Sequence, residues 1–222
     1  MKNEDLIVEL AASAGPSRPL AAPGRRLLYW LIPTLGLMAV VVWVMGVRAD
    51  IGQKLGEPKF VTEVIAALLT GILAAFAALC CVQPGQPLWE RFVPLAPLTL
   101  WLMSLGEGCW RTLVRSESNG ISFMPDPICF PAILMVGTIP AIALFSMMRR
   151  GAPMAPVTTT AHAALAASAM GAAALRLFHP QDASLMVLVW QFGSVVLLTG
   201  VASLFGRRLL RWRNLETAVA VQ

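Results

Sequence analysis

Between Ile128 and Met148 the chain carries no Asp, Glu, Lys or Arg, and it then places Arg149 and Arg150 beside a Pro-bounded turn, GAPMAP. A run of about twenty apolar or small residues, wound as a helix, matches the hydrocarbon thickness of a bilayer. Its two ends differ chemically. A thiol, Cys129, opens the run, and fixed positive charge, which resists translocation, closes it. This is one membrane crossing with its sides labelled.

The rest of the chain fits that reading. Hydrophobic residues make up 57% of it, 13% are charged, and the mean hydropathy is +0.71. A soluble domain could not cover so much apolar surface. In 222 residues there is room for about six spans of roughly 20 residues each, which leaves little for a soluble domain. The net charge of +5 would suggest nucleic acid in a soluble protein. Here the basic residues cluster at span ends and serve topology, so no nucleic-acid site is read from them. The expected fold is all-α, a polytopic six-span bundle.

Residues 1–26 read as a tail. Asn3 can cap a helix, Glu4 and Asp5 suit its positive end, and Leu6, Ile7, Leu10 and Ala11 share a face. Gly15 and Pro16 end that helix, and PSRPLAAPGRR forms a semi-extended tether of up to roughly 30 Å. The apolar run begins only after Arg26 and is too long for a signal-peptide core, so the first span is expected to remain in the mature protein. The bundle is expected over residues 27–206, with a basic C-terminal tail over 207–222. Its spans are placed at about Leu27 to Val47, Phe60 to Val82, Phe92 to Gly106, Ile128 to Met148, Val157 to Leu175 and Ser184 to Gly206. The third is short for a bilayer, and Pro94 and Pro97 bend its start.

Alternating segments then hold eleven Lys and Arg on the side of both termini and six on the other. The positive-inside bias makes both termini cytoplasmic. Cys109 and Cys129 fall at the outer face, and Cys80 and Cys81 at the inner end of span two. Small residues recur at four-residue spacing in span two (Ala67, Gly71, Ala75) and span five (Ala163, Ala167, Gly171), which favours close helix packing within the bundle, with a homo-oligomer face as the alternative.

Candidate chemistry is sparse. His162 and His179 lie near opposite ends of span five, about 25 Å apart along a helix, and cannot share a haem or metal. No cofactor is read from the chain. The span centres lack the ionisable group that a proton- or ion-coupled transporter usually carries, Glu63 sitting only a turn inside span two. Cys109 and Cys129 are placed to form a disulfide, to capture a thiophilic metal, or to remain inert thiols. Adjacent Cys80 and Cys81 lack the C-x-x-C spacing of a thiol oxidoreductase and read as span filler. The tail has too little mass for an enzyme. As an acidic amphipathic helix with Leu6, Ile7 and Leu10 as anchors and Glu4, Asp5 and Glu9 as charges, it suits a partner with a basic groove.

Three stretches carry a resemblance: EDLIVELAASAGPSRPLAAPGRRLLYWL, RRGAPMAP and VWQFGSVVLLTGVASLFGRRLLRW. In their order, spacing and six-span frame they resemble the NrsF family of membrane-embedded anti-sigma factors. The resemblance implies a bacterial inner-membrane protein that sequesters an extracytoplasmic-function sigma factor, a role that the acidic N-terminal tail independently suits. A periplasmic redox or metal stress then releases the sigma factor. Cys129 matches the family's first periplasmic cysteine. The second usually follows a histidine between spans five and six, where this chain reads Phe178, His179, Pro180, Gln181, Asp182. The histidine that usually follows the tryptophan of the last span is Gln191 here. Either Cys109 partners Cys129 or sensing takes another route. The competing readings are a small membrane transporter and a membrane thiol-redox protein.

Overall fold

The computed structural model describes residues 3–13, 20–115, 129–153, 155–179 and 193–210. These form α1 (Asn3–Ser13), α2 (Pro23–Met45), α3 (Ile51–Lys54), α4 (Pro58–Cys80), a 3₁₀ turn (Leu88–Arg91), α5 (Leu95–Arg115), α6 (Cys129–Met148), α7 (Pro156–Phe178) and α8 (Gly193–Leu209). No strand occurs among the described residues. Proline opens α2, α4 and α7, where its missing N–H costs no helical hydrogen bond and its fixed φ favours the first turn.

Four helical stretches, Pro23–Met45, Pro58–Cys80, Pro131–Met148 and Pro156–Phe178, are long and apolar enough to cross a membrane, which is compatible with a membrane protein. Four of the six expected spans therefore appear among the described residues, with ends moved by a few residues. The third expected span is displaced. Its helix starts at Leu95, after the 3₁₀ turn, and runs on past Gly106 to Arg115, because Glu107, Arg111 and Arg115 belong to the same helix and lower its hydropathy. For the sixth, residues 184–192 lie outside the described residues, and Gly193–Gly206 is a shorter apolar helix.

Helices α4 and α7 form the centre. α7 packs on α4, α6 and α8, and α2 lies across α4, α6 and α7 with most of its apolar surface outward. The small-residue stripes meet in this centre: Ala67, Gly71, Ala74, Ala75, Ala163, Ala167 and Gly171 are all buried. At Gly171 a Cβ would stand 2.8 Å from the Ile133 carbonyl oxygen of α6. A Cβ on Gly71 would likewise meet Met170 Sδ at 2.8 Å. Without a hydrophobic force between helices in lipid, such backbone approach is what holds them. Polar side chains are satisfied locally: the hydroxyls of Thr34 and Thr70 donate to carbonyls one turn back at 2.7 Å each, and Trp30 Nε1 donates to the Pro140 carbonyl at 2.9 Å, tying α2 to α6.

Candidate functional site

The helix ends gather into two polar layers. At one, the chain leaves α2 through Arg48, whose backbone N–H donates to the Leu177 carbonyl at 3.1 Å and whose guanidinium pairs with Asp50 at 2.6 Å. That pairing holds the Asp50 carboxyl down at about 2. Across the layer Arg176 of α7 meets Glu63 of α4 at 2.7 Å, with both side chains nearly buried, and Lys59 stands 3.8 Å from the same carboxylate. Phe60 lies between the two guanidiniums, 5.5 Å from Arg48 and 5.0 Å from Arg176. Glu63 is thus fully engaged in an ion pair. Sequence reasoning located it a turn inside the span and missed its partner, because the two residues lie 113 positions apart.

The opposite layer carries Arg25, Arg26, Arg91, Arg149, Arg150 and Arg208. Arg26, 5% exposed, donates to the Met147 carbonyl at 2.6 Å, and its other terminal nitrogen has no hydrogen-bond partner among the described residues. The loop after α4 is pinned to the loop after α6 by the Ala152 N–H to the Val82 carbonyl at 2.9 Å. His162 of α7 is a bridging residue: Nδ1 faces the Thr158 carbonyl at 2.8 Å and Nε2 faces the Arg91 carbonyl at 2.9 Å, so it anchors the 3₁₀ turn. His179 lies at the other layer, its backbone carbonyl facing the Arg48 guanidinium at 3.5 Å.

The tail enters beside the arginine layer. α1 is helical as expected, and Glu4, Asp5, Ile7, Val8, Glu9 and Leu10 are exposed. At 3.6 residues per turn, Ile7 and Leu10 share one side while Glu4, Asp5 and Glu9 occupy the other, with Val8 among the acids. The Leu6 side chain lies outside the described residues. So do the side chains of Cys109, late in α5, and Cys129, the first residue of α6, so the structure neither brings these thiols together nor separates them.

A family profile described as "Negative regulator of sigma F" matches residues 10–212. A probable anti-sigma-F factor of Azospira oryzae is 28% identical over 218 residues, covering 96% of this chain and 100% of the relative. The anti-sigma-F factor NrsF of Caulobacter vibrioides is 27% identical over 223 residues, with the same coverage. No solved structure matches. Because the matched region runs from the tail helix through every described bundle helix, the chain belongs to the NrsF family, the negative regulators of sigma F.

Proposed function

We propose that this protein is an inner-membrane anti-sigma factor that sequesters an extracytoplasmic-function sigma factor through residues 1–26 and releases it on a periplasmic redox or metal stress. Its role is regulatory rather than catalytic. The observation that carries the reading is α1: an exposed helix with acids on one side and Ile7 and Leu10 on the other, tethered beside the arginine layer of a family of negative regulators. Sigma factors present basic DNA-binding surfaces, so Glu4, Asp5 and Glu9 supply charge complementarity and Leu6, Ile7 and Leu10 groove anchors. A membrane-surface role suits the helix less well, since its acids oppose anionic lipid.

In this reading six spans cross the membrane with both termini cytoplasmic, and the sensing thiols are Cys129 and Cys109 at the outer face. Deleting residues 2–14 derepresses the target regulon while the protein stays in the membrane, read by a promoter reporter with fractionation. Unchanged reporter output removes the tail from the mechanism. A pull-down with the tail as bait recovers the sigma factor from the wild-type sequence and not from a Glu4, Asp5, Glu9 to Ala variant. For sensing, Cys129→Ser weakens the reporter response to oxidant or thiophilic metal; an intact response leaves that thiol structural.

A further inference from the structure

The arginine layer holds a second pair of thiols that the proposed regulation does not use. α4 ends at Cys80, and Cys81 caps it in helical conformation. Residues 83–87 turn over the two side chains, and with Arg91 they line one cavity of about 190 Å³. Both cysteines are free and buried. Adjacent side chains leave a helix about 100° apart, and here both cysteines line the one cavity, where a soft centre would meet both sulfurs.

The surroundings narrow what such a ligand can be. Glu90, 9% exposed, brings its carboxylate within hydrogen-bonding reach of the Cys80 thiol, and its Oε2 has no hydrogen-bond partner among the described residues. The Thr159 hydroxyl is within reach of Cys81, and burial pushes the Cys81 thiol up. A protonated thiol is a poor nucleophile toward peroxides and alkylating agents, which need the thiolate. No group of three or more His, Cys, Asp or Glu able to hold a metal ion occurs among the described residues. What remains is a centre that takes two sulfurs at once and consumes their protons.

We propose that the Cys80–Cys81 cavity is a dithiol site for trivalent arsenicals. An arsenic(III) centre bearing two hydroxyls condenses with both thiols. Each As–O bond is replaced by an As–S bond, and each departing hydroxide takes up one thiol proton and leaves as water. Arsenic stays trivalent, so the step needs no oxidant or reductant. Glu90 takes the Cys80 proton and returns it to the departing oxygen. Binding at this site does not rest on the proposed function.

The test uses the full chain in detergent with Cys109→Ser and Cys129→Ser, which leaves Cys80 and Cys81 as its only cysteines. Phenylarsine oxide is the probe. Intact-mass analysis is expected to give a single phenylarsenic adduct that survives gel filtration and is removed by excess 2,3-dimercaptopropanol. Adding Cys80→Ser or Cys81→Ser abolishes retention, a loss of about 100-fold or more in affinity because chelation is lost. Glu90→Gln keeps the adduct but forms it roughly tenfold more slowly. Absence of an adduct on the folded two-cysteine chain overturns the site, as does retention in both single-thiol variants or labelling only after denaturation. Should a single-thiol variant misfold, the intact pair decides: after loading and gel filtration the chain is unfolded in excess iodoacetamide, a bridged pair stays unalkylated, and double alkylation overturns the proposal. The adduct is read without any sigma factor, so failure of tail binding leaves this result unaffected.

Discussion

The two ends of the bundle hold charge in opposite ways. At the Arg48 and Arg176 layer each guanidinium has a carboxylate: Glu63 of α4 lies 2.7 Å from Arg176 of α7, Asp50 lies 2.6 Å from Arg48 within the same turn, and the Phe60 ring lies 5.5 and 5.0 Å from the two guanidiniums. At the Arg26 layer the Arg26 guanidinium is held by a backbone carbonyl, that of Met147, rather than by a carboxylate, and an oxygen each of Gln83 and Glu90 is buried without a hydrogen-bond partner among the described residues, as are single nitrogens of Arg176 and His179 at the first layer. The first arrangement latches α4 to α7 and joins the α2–α3 turn to the end of α7. The second leaves polar groups available for a ligand or a change of packing. Under the proposed function, the latched end is the pivot and the Arg26 end, from which the tail leaves, the responsive one.

Breaking the pivot gives the largest expected effect. Glu63→Ala leaves Arg176 buried without its carboxylate and costs about 3–5 kcal/mol, read as a lowered unfolding midpoint in detergent. Removing both charges together, as Glu63→Leu with Arg176→Met, costs less than the single change, because no uncompensated ion remains. If the double variant is as damaged as the single one, the ion pair is a net contributor and the pivot rests on charge rather than packing.

The shared centre comes next. Gly171→Leu drives a side chain against the Ile133 carbonyl, a backbone atom that cannot swing aside, and costs about 1–3 kcal/mol or more, whereas Gly36→Leu, on the open face of α2, stays near wild type. Trp30→Phe keeps an aromatic side chain but removes the donor to Pro140 and leaves space where the fully buried indole stood, about 1 kcal/mol for the hydrogen bond plus the cavity, and is expected to loosen the α2–α6 contact. The smallest effect belongs to Asp50. Its folded carboxyl, at about 2, lies below the ordinary aspartate value of 3.8, so its contribution is complete above pH 4 and is lost as pH falls from there toward 2. Asp50→Asn should flatten the acid limb of the unfolding midpoint between those values and leave neutral pH almost unchanged. A neutral-pH loss comparable to that of Glu63→Ala would place the pivot in the turn rather than between α4 and α7.

Much was legible before any coordinates. Uncharged runs of bilayer length located the four helices able to cross a membrane, because length and hydropathy alone determine whether a helix can sit in hydrocarbon. The recurrence of Ala and Gly every four residues in α4 and α7 marked the packed faces, since that spacing stacks small residues on one side of a helix. A short N-terminal helix is present at Asn3–Ser13, while Gly15 and Pro16, expected to end it, lie outside the described residues, and the three quoted stretches pointed to the family. The third span was misplaced because its polar second half, with Glu107, Arg111 and Arg115, hides a continuous helix from a hydropathy reading.

What only the tertiary structure decided is who meets whom. Nothing in the local pattern of Glu63 names Arg176, and nothing in that of His162 names the Arg91 carbonyl 71 residues away. Cys80 and Cys81 read as span filler, and the cavity they share with the loop over residues 83–87 is visible only in the packed chain. Periodicity and hydropathy are properties of one helix and survive in the sequence. Ion pairs, shared carbonyls and cavities are properties of two or more elements, and they exist only once packing has brought distant residues within a few ångströms.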